Sequence, residues 1–202
     1  MKTEDILAKE DFQKCVDFHG HLCPGLSLGY RASQAGLKWL RAARASDEEI
    51  VAIVETDACC ADAVQVMTGC TFGKGNFIYK DHGKIAFTFL NRESGNGVRI
   101  ALKPDVMPGD ERHAHLIKKI QTDSATESER EEFKKLHKKR SLEILEMPIA
   151  DLFNLNEAKI EVPSKARIEP SKPCGRCGEP TMASKLSDLN GSLICRGCQT
   201  SL

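Results

Sequence analysis

The sequence predicts an α+β fold, in which helices pack on a mostly antiparallel sheet, followed by a small tail that folds around a metal ion. Two observations indicate this class. Helical and strand-like apolar patterns follow one another along most of the 202 residues, and four of the nine cysteines lie in the last thirty. Because 41% of the residues are apolar, the chain can bury a core of its own.

The helices are predicted where apolar residues recur every three or four positions. This pattern indicates helices over four segments: 4–18, 26–43, 58–68 and 127–146. We expect Asp57 to be the N-cap of the third helix and Gly69 to close it. The last helix carries the basic stretch Lys134–Arg140, which we interpret as a solvated face.

The strands are predicted from short runs rich in β-branched and aromatic residues. They cover four segments: 49–56, 76–80, 84–91 and 97–102. The first is apolar almost throughout and is expected to be buried. Asp81–Gly83 and Ser94–Gly97 contain the glycines of tight turns, so each is predicted to close a hairpin.

The chain is interpreted as three parts: a core over 1–157, a connector over 158–172 with two prolines, and a zinc-binding tail over 173–202. Lys and Arg balance Asp and Glu at 29 each, so the net charge is zero and a dedicated nucleic-acid-binding role is not expected. No apolar run reaches the ~18 residues of a membrane span, and the first residues lack a secretory segment. A cytoplasmic protein without membrane contact is therefore expected.

The tail cysteines have the spacing of a structural zinc site. Cys174 and Cys177 are separated by two residues, as are Cys195 and Cys198, and seventeen residues lie between the pairs. Two such turns present four thiolates to one ion at Zn–S distances of about 2.3 Å. Four thiolates leave no open coordination position, so we expect a structural ion, zinc in preference to iron.

A second candidate site lies near the amino terminus, where His19, His21 and Cys23 alternate. If this segment is extended, a period of two places all three side chains on one face. Imidazole and thiolate together suit a transition metal. From the residues alone, two loop histidines beside a buried cysteine are an equally good interpretation.

Further cysteines follow the first predicted strand. Cys59 and Cys60 fall in the first turn of the 58–68 helix, where unpaired amides and the helix dipole favour a thiolate. Cys70 comes just after this helix. These positions are suited to a reactive thiol or a metal ligand.

Polar residues near these cysteines are candidates for holding a ligand. Asp62 and Gln65 lie one turn apart on the predicted helix. Either could orient a metal-binding side chain by hydrogen-bonding to it without contacting the metal. Lys74 lies in a glycine-rich stretch, 71–76, whose backbone amides could bind an anion.

Two motifs occur in order along the chain. The first is His19-Gly-His-Leu-Cys-Pro-Gly25, and the second is Cys59-x-x-Asp62-Ala-x-Gln65 with the following Thr68-Gly-Cys-Thr-x-Gly-x-Gly-Asn76. Together they resemble the FmdE family of formylmethanofuran dehydrogenase subunits. The resemblance extends over roughly residues 10–202. It implies an α+β core, association as a homodimer and, as in some members, a carboxyl-terminal treble-clef zinc finger. The family is named after the methanogen enzyme that reduces carbon dioxide to a formyl group on methanofuran with molybdenum or tungsten.

The resemblance also implies a set of functional residues. The implied ligands of a second transition metal are His19, His21, Cys23, Cys59 and Cys70. Catalytic roles are assigned to Cys23, Cys59 and His21, and cofactor contacts to Asp62 and Gln65. Lys74, which occupies a variable position of the motif, is a further cofactor contact because it lies in the glycine-rich stretch. Cys60 stands where a small or apolar residue is expected in relatives, so its role is open.

Three functions are compatible with these residues. The first is an accessory subunit of formylmethanofuran dehydrogenase or of a related redox complex, with other subunits as partners. The alternative is a free-standing His/Cys metalloenzyme or thiol-dependent oxidoreductase. A zinc-finger regulator is weaker, because the chain lacks the basic footprint of nucleic-acid binding.

Overall fold

The computed structural model describes residues 3–104, 106, 111–166 and 168–200. The chain divides into two compact units, Met1–Lys165 and Ala166–Leu202. Residues 158–165 therefore belong to the first unit, where Ala158 and Val162 pack against the sheet. Within the part of the chain that is described, no helix is both long and apolar enough to cross a membrane.

The first unit contains seven described helices: α1 (Thr3–Leu7), α2 (Glu10–His19), α3 (Pro24–Leu40), α4 (Cys60–Thr68), α5 (Glu111–Gln121), α6 (Glu127–Glu146) and α7 (Ile149–Leu152). The prediction of α6 is confirmed at both ends. The prediction of one helix over 4–18 is wrong, because Lys9 adopts an extended conformation and separates α1 from α2. Helix α5 was not predicted.

The strands of the first unit form one five-stranded sheet: β1 (Ile50–Val54), β2 (Phe77–Tyr79), β3 (Ala86–Asn91), β4 (Gly97–Leu102) and β5 (Phe153–Glu157), in the order β2-β1-β3-β4-β5. Only the β1–β2 pair is parallel, so the predicted mostly antiparallel sheet is confirmed. The predicted hairpin at 81–83 is wrong, because β3 pairs with β1 and not with β2. The β3–β4 hairpin is confirmed.

The main core lies between one face of the sheet and the helices. Phe87 and Phe89 of β3 pack there with Ala32 of α3 and Ile144 of α6. The opposite face carries a smaller cluster of Val51, Ile53 and Leu90, against which the 158–162 segment packs. Strand β1 is buried at every position because apolar residues cover both of its faces. This packing fixes the amino-terminal ends of α3 and α4.

The second unit contains β6 (Ser171–Pro173), β7 (Pro180–Met182), a 3₁₀ turn (Ala183–Lys185), β8 (Leu186–Leu189), β9 (Ser192–Cys195) and α8 (Arg196–Thr200). The strands form two antiparallel hairpins, β6–β7 and β8–β9. Among the described residues of this unit, Cys174 alone is buried. A segment with so little buried apolar surface needs another source of folding free energy, and a bound metal ion could supply it.

Candidate functional site

Two groups of side chains are arranged to hold a metal ion. Within each group, one ligand atom per residue lies within 4.8 Å of all the others, and the members are Cys174, Cys177, Cys195 and Cys198 in one group and His19, His21 and Cys23 in the other. The search covers the described residues only. The two groups lie in different units.

The four-cysteine group is assembled by two tight turns and one short helix. Cys174 follows β6, Cys195 ends β9, and Cys198 lies in α8. The backbone N–H of Cys195 donates to Cys174 Sγ at 3.3 Å, and that of Cys198 donates to Cys195 Sγ at 3.4 Å. Hydrogen bonds from the backbone of Cys177, Cys195 and Arg176 lower the pKa of Cys174 to about 6. This donor set fits zinc, and the four-cysteine cluster could bind it.

The amino-terminal group is built by a helix end and a turn. Helix α2 ends at His19, Gly20 adopts a left-handed conformation with a φ of 90°, and Cys23 is extended at the N-cap of α3, with Pro24 at the first helical position. The extended segment that we expected over His19, His21 and Cys23 is therefore not formed. The side chains converge because the glycine turn reverses the chain. The His19 and His21 rings lie 4.5 Å apart between their centroids.

His19 is held between a carboxylate and a thiol. Its Nδ1 lies 2.8 Å from Asp62 Oδ2, and its Nε2 lies 3.6 Å from Cys23 Sγ. Because an ionised carboxylate can only accept, Asp62 places the ring proton on Nδ1 and leaves the Nε2 lone pair directed toward Cys23. A carboxylate behind a histidine is the arrangement that orients histidine ligands in metal sites. The role of Asp62 in orienting a metal ligand stays a prediction, to which this contact adds a partner, His19.

Cys23 and Cys59 lie side by side at two helix N-termini. Cys23 is the N-cap of α3 and accepts a hydrogen bond from the Leu26 N–H at 3.3 Å, while Cys59 is the N-cap of α4. Burial raises the pKa of Cys23 to about 11, and the neighbouring Cys59 thiol adds to the rise. Cys23 is therefore protonated at neutral pH, and its binding to a metal would release a proton.

Glycine allows these two helix ends to meet. A Cβ built on Gly29 would lie 2.2 Å from the Cys60 carbonyl oxygen, and a Cβ on Gly25 would lie 3.0 Å from Cys59 Cβ. Any larger residue at Gly29 would have to displace backbone atoms of α4. The small residues of α3 thus set the distance between Cys23 and Cys59.

The start of α4 differs from the prediction. Asp57 is not the N-cap, because the Ala58 N–H bonds to Thr56 Oγ1 and the helix begins two residues later than expected, at Cys60. Cys60 is buried in the main core, and burial raises its pKa to about 12. The helix N-terminus therefore does not produce a thiolate at Cys60, because desolvation outweighs the helix dipole. Gln65 is half-buried, one turn after Asp62.

Cys70 and Lys74 lie at the other end of α4. The Cys70 thiol is fully buried and donates to the Ile50 carbonyl at 3.3 Å, and Lys74 Nζ donates to the Asp47 carbonyl at 2.9 Å. The nine residues of α4 span about 14 Å at 1.5 Å per residue. The structure therefore does not bring Cys70 or Lys74 to the His/Cys group.

Two histidines near this group were missed by the sequence analysis. His113 Nε2 of α5 lies 3.2 Å from His137 Nδ1 of α6. Burial lowers the pKa of His137, and the charges of His113 and His21 lower it further, so His21 and His137 lie close enough to interact. The pair could not be found from the sequence because α5, which carries His113, was not predicted.

Comparison with known proteins places this architecture in a family. Residues 18–154 match the family described as "FmdE, Molybdenum formylmethanofuran dehydrogenase operon". A crystal structure of an FmdE-like protein of the tungsten formylmethanofuran dehydrogenase type, from Syntrophus aciditrophicus, superposes with a TM-score of 0.62 at 25% identity, covering 97% of this chain and 95% of that one.

A curated relative is similar over much of the sequence. The chain is 32% identical over 182 residues to a probable S-adenosyl-L-methionine-binding protein of Archaeoglobus fulgidus, a match that covers 87% of this chain and 50% of that protein. The chain thus spans about half the length of this relative. Together with the family match over residues 18–154, these similarities establish that the chain belongs to the FmdE family.

Proposed function

We propose that this chain is a metal-binding protein of one-carbon redox metabolism, acting as a subunit or accessory protein of formylmethanofuran dehydrogenase or of a related redox complex. Membership of the FmdE family supports the metabolic assignment. The observation that carries the metal site is the geometry of His19, whose Nδ1 is held by Asp62 while its Nε2 faces Cys23.

His19, His21 and Cys23 would hold the ion, which would supply a Lewis-acid or redox centre when bound. Asp62 keeps the proton of His19 on Nδ1, so the lone pair of Nε2 remains available to coordinate the ion. The Leu26 N–H stabilises negative charge on Cys23 Sγ. Three protein ligands would leave a coordination position for a substrate, as is typical of catalytic sites. The Cys59 thiol lies next to Cys23, one of these ligands.

The four-cysteine unit has a structural role in this proposal. Its four cysteines would hold a zinc ion and leave no position on it for a substrate. We propose that it stabilises the carboxyl-terminal unit and provides a surface for assembly, either in a homodimer or with other subunits of the complex.

Metal content tests the proposal directly. Full-length protein, purified without oxygen, is expected to contain about two metal ions per chain by mass spectrometry. Cys23→Ser should lose the amino-terminal ion and keep zinc, and the matched Cys177→Ser should do the opposite. A single ion that is lost only in Cys177→Ser would overturn the amino-terminal metal site.

The place in a complex needs a separate test. A tagged full-length chain is expected to retain the catalytic subunits of a molybdenum or tungsten formylmethanofuran dehydrogenase when both are expressed together. A chain that remains alone and is active by itself would favour a free-standing enzyme instead.

A thiol-dependent enzyme is the second candidate, because Cys23, His19 and Asp62 also form the line of nucleophile, base and orienting carboxylate used by cysteine enzymes. The high pKa of Cys23 disfavours it. Rapid alkylation of Cys23 by iodoacetamide in metal-free protein, slowed by His19→Ala, would support this candidate. Equal, slow alkylation in both proteins would reject it.

The name of the Archaeoglobus fulgidus relative refers to S-adenosyl-L-methionine. Calorimetric titration of this chain with S-adenosyl-L-methionine tests whether the half of the relative that matches this chain is the half that binds S-adenosyl-L-methionine. Saturable binding would extend the property to this chain, and no heat of binding would restrict it to the rest of the relative.

A further inference from the structure

A cavity of about 590 Å³ lies in the first unit, beside the amino-terminal metal site. Its walls come from α1, α2, the turn before α3 and α6. Four apolar residues form most of the surface: Leu7, Phe12, Val16 and Leu22. Three polar residues complete it, and they are Gln13, Asp17 and Lys138. An apolar cavity of this size with a few polar groups is typical of small-molecule sites, which measure about 300–1,000 Å³.

We propose that this cavity binds a small amphipathic monoanion, an apolar body with a single carboxylate or sulfonate head. The apolar body would lie along Leu7, Val16 and Leu22, where its contact area is removed from water. The head would pair with the ammonium group of Lys138, the only cation among the lining residues that the structure describes.

Lys138 is available for this role. Within the described residues it makes no ion pair or side-chain hydrogen bond. Lys134, Lys135 and Lys139 are exposed on the same helix but do not line the cavity. Lys134 and Lys138 are separated by four positions, where like charges disfavour the helix. Lys139 pairs with Glu143 four positions later, at 3.8 Å, whereas the residue four positions after Lys138 is Leu142, so the charge of Lys138 is available to an anion.

Asp17 restricts the charge of the ligand. It lines the same cavity as Lys138, so its carboxylate repels a second negative group on the ligand. Gln13 is held in place because its Nε2 donates to the Leu7 carbonyl at 3.3 Å. The cavity should therefore accept a monocarboxylate and reject a dicarboxylate of similar length.

The cavity adjoins the metal site without depending on it. Leu22 stands between His21 and Cys23 in the turn before α3, and Lys138 follows His137 on α6. None of the residues that line the cavity is a proposed metal ligand, so ligand binding can be measured whether or not a metal is bound. Failure of the metal proposal would leave this inference intact, and the reverse also holds.

Fluorescence titration of full-length protein with 1-anilinonaphthalene-8-sulfonate, an apolar monoanion, tests the inference. We expect one saturable site per chain, from which octanoate displaces the dye and octanedioate does not. Loss of the charge-assisted contact in Lys138→Met should weaken binding about tenfold. Lys134→Met removes a neighbouring charge outside the cavity and should leave the affinity nearly unchanged.

Two further variants test the shape and the charge selection. Val16→Trp should fill the cavity and abolish binding, and Asp17→Asn should admit octanedioate. Since Val16→Trp can disturb folding, the pair Lys138→Met and Lys134→Met is decisive on its own. The absence of a saturable site, or equal affinities in these two lysine variants, would overturn the inference.

Discussion

The two cysteine-containing groups of this protein differ in what surrounds them. The four-cysteine group belongs to a unit in which Cys174 is the only buried residue among those described. The His19, His21 and Cys23 group lies at the end of α2 and in the turn before α3, two helices that pack into a large apolar core. The two groups thus differ in what a metal would contribute. In the carboxyl-terminal unit a bound ion could take the place of an apolar core, whereas the first unit has its core without one.

The protonation of the thiols does not separate the two groups. Backbone N–H groups lower the pKa of Cys174 to about 6, but the hydrogen bond with Cys195 and burial raise the pKa of Cys198 to about 12. Burial likewise raises the pKa of Cys23 to about 11. Each group therefore contains a thiol that must lose a proton before it binds an ion, so metal binding at either group would release protons.

Removal of zinc should have the largest effect. Because zinc contributes about 10–16 kcal/mol to the folding of small cysteine domains, chelation or Cys195→Ser should unfold the second unit. Hydrogen exchange followed by mass spectrometry should then show complete loss of protection over 171–200, with the first unit unchanged. Protection that persists without metal would show that this unit folds by itself. The two units would then not differ in their need for a metal ion to fold.

Substitution of glycine should separate stability from metal binding. A Cβ at Gly29 would meet Cys60 backbone at 2.2 Å, and a Cβ at Gly36 would meet the Phe89 ring at 2.3 Å. Gly29→Ala and Gly36→Ala should each cost about 3 kcal/mol, the upper part of the usual range for overpacking. Thermal melts should show similar losses, but metal analysis should find the amino-terminal ion missing only in Gly29→Ala. Equal metal contents would mean that the α3–α4 contact does not shape the site.

Acid should weaken the first unit through Glu55, which belongs to neither metal group. Arg99 contacts the two Glu55 carboxylate oxygens at 2.7 and 2.8 Å, and His82 lies 3.2 Å away. The hydrogen bond from Arg99 lowers the pKa of Glu55 from 4.5 to about 2, despite the opposing effect of burial. A lowered pKa stabilises the fold above the unfolded value, and this stability is lost as the pH falls from about 4.5 to 2.

Glu55→Gln should therefore cost about 1.5–3 kcal/mol at pH 7, the range for hydrogen bonds to charged groups. The difference from the parent protein should shrink below pH 4.5. Urea unfolding at several pH values measures this, with exposed Glu131→Gln as a control. A difference that does not depend on pH would contradict the assigned ion pair.

The smallest effect should come from Asp62→Asn. Loss of the carboxylate behind His19 should weaken metal binding ten- to a hundredfold, about 1.4–2.7 kcal/mol, with little change in the melting temperature. Competition with a chromophoric chelator measures the affinity. Asp57→Asn, an exposed position just before the same helix, should have no effect. Similar affinities in both variants would show that Asp62 does not orient His19.

Features that depend on neighbouring residues could be predicted from the sequence. The 127–146 helix has a capping box at Thr126 and Glu129, and the β3–β4 hairpin has its glycine turn, so local interactions determine both. The cysteine spacing of the tail also predicted its four-thiol cluster, because each pair closes within a single turn. Two predictions about the fold were wrong: the single helix over 4–18, which is interrupted at Lys9, and the hairpin at 81–83, where β3 pairs with β1 instead of β2. Local apolar patterns encode neither the interruption of a helix nor the choice of a strand's partner.

The sequence by itself thus predicted the α+β class and the four-cysteine cluster, and it left the convergence of His19, His21 and Cys23 as one of two interpretations. Tertiary structure alone decided which other residues join them. It brought Asp62 to His19 over 43 positions, and left Cys70 at the far end of α4. The physical reason is that such distances depend on how closely α3 and α4 approach, which the buried surfaces of the whole unit determine and the motifs do not.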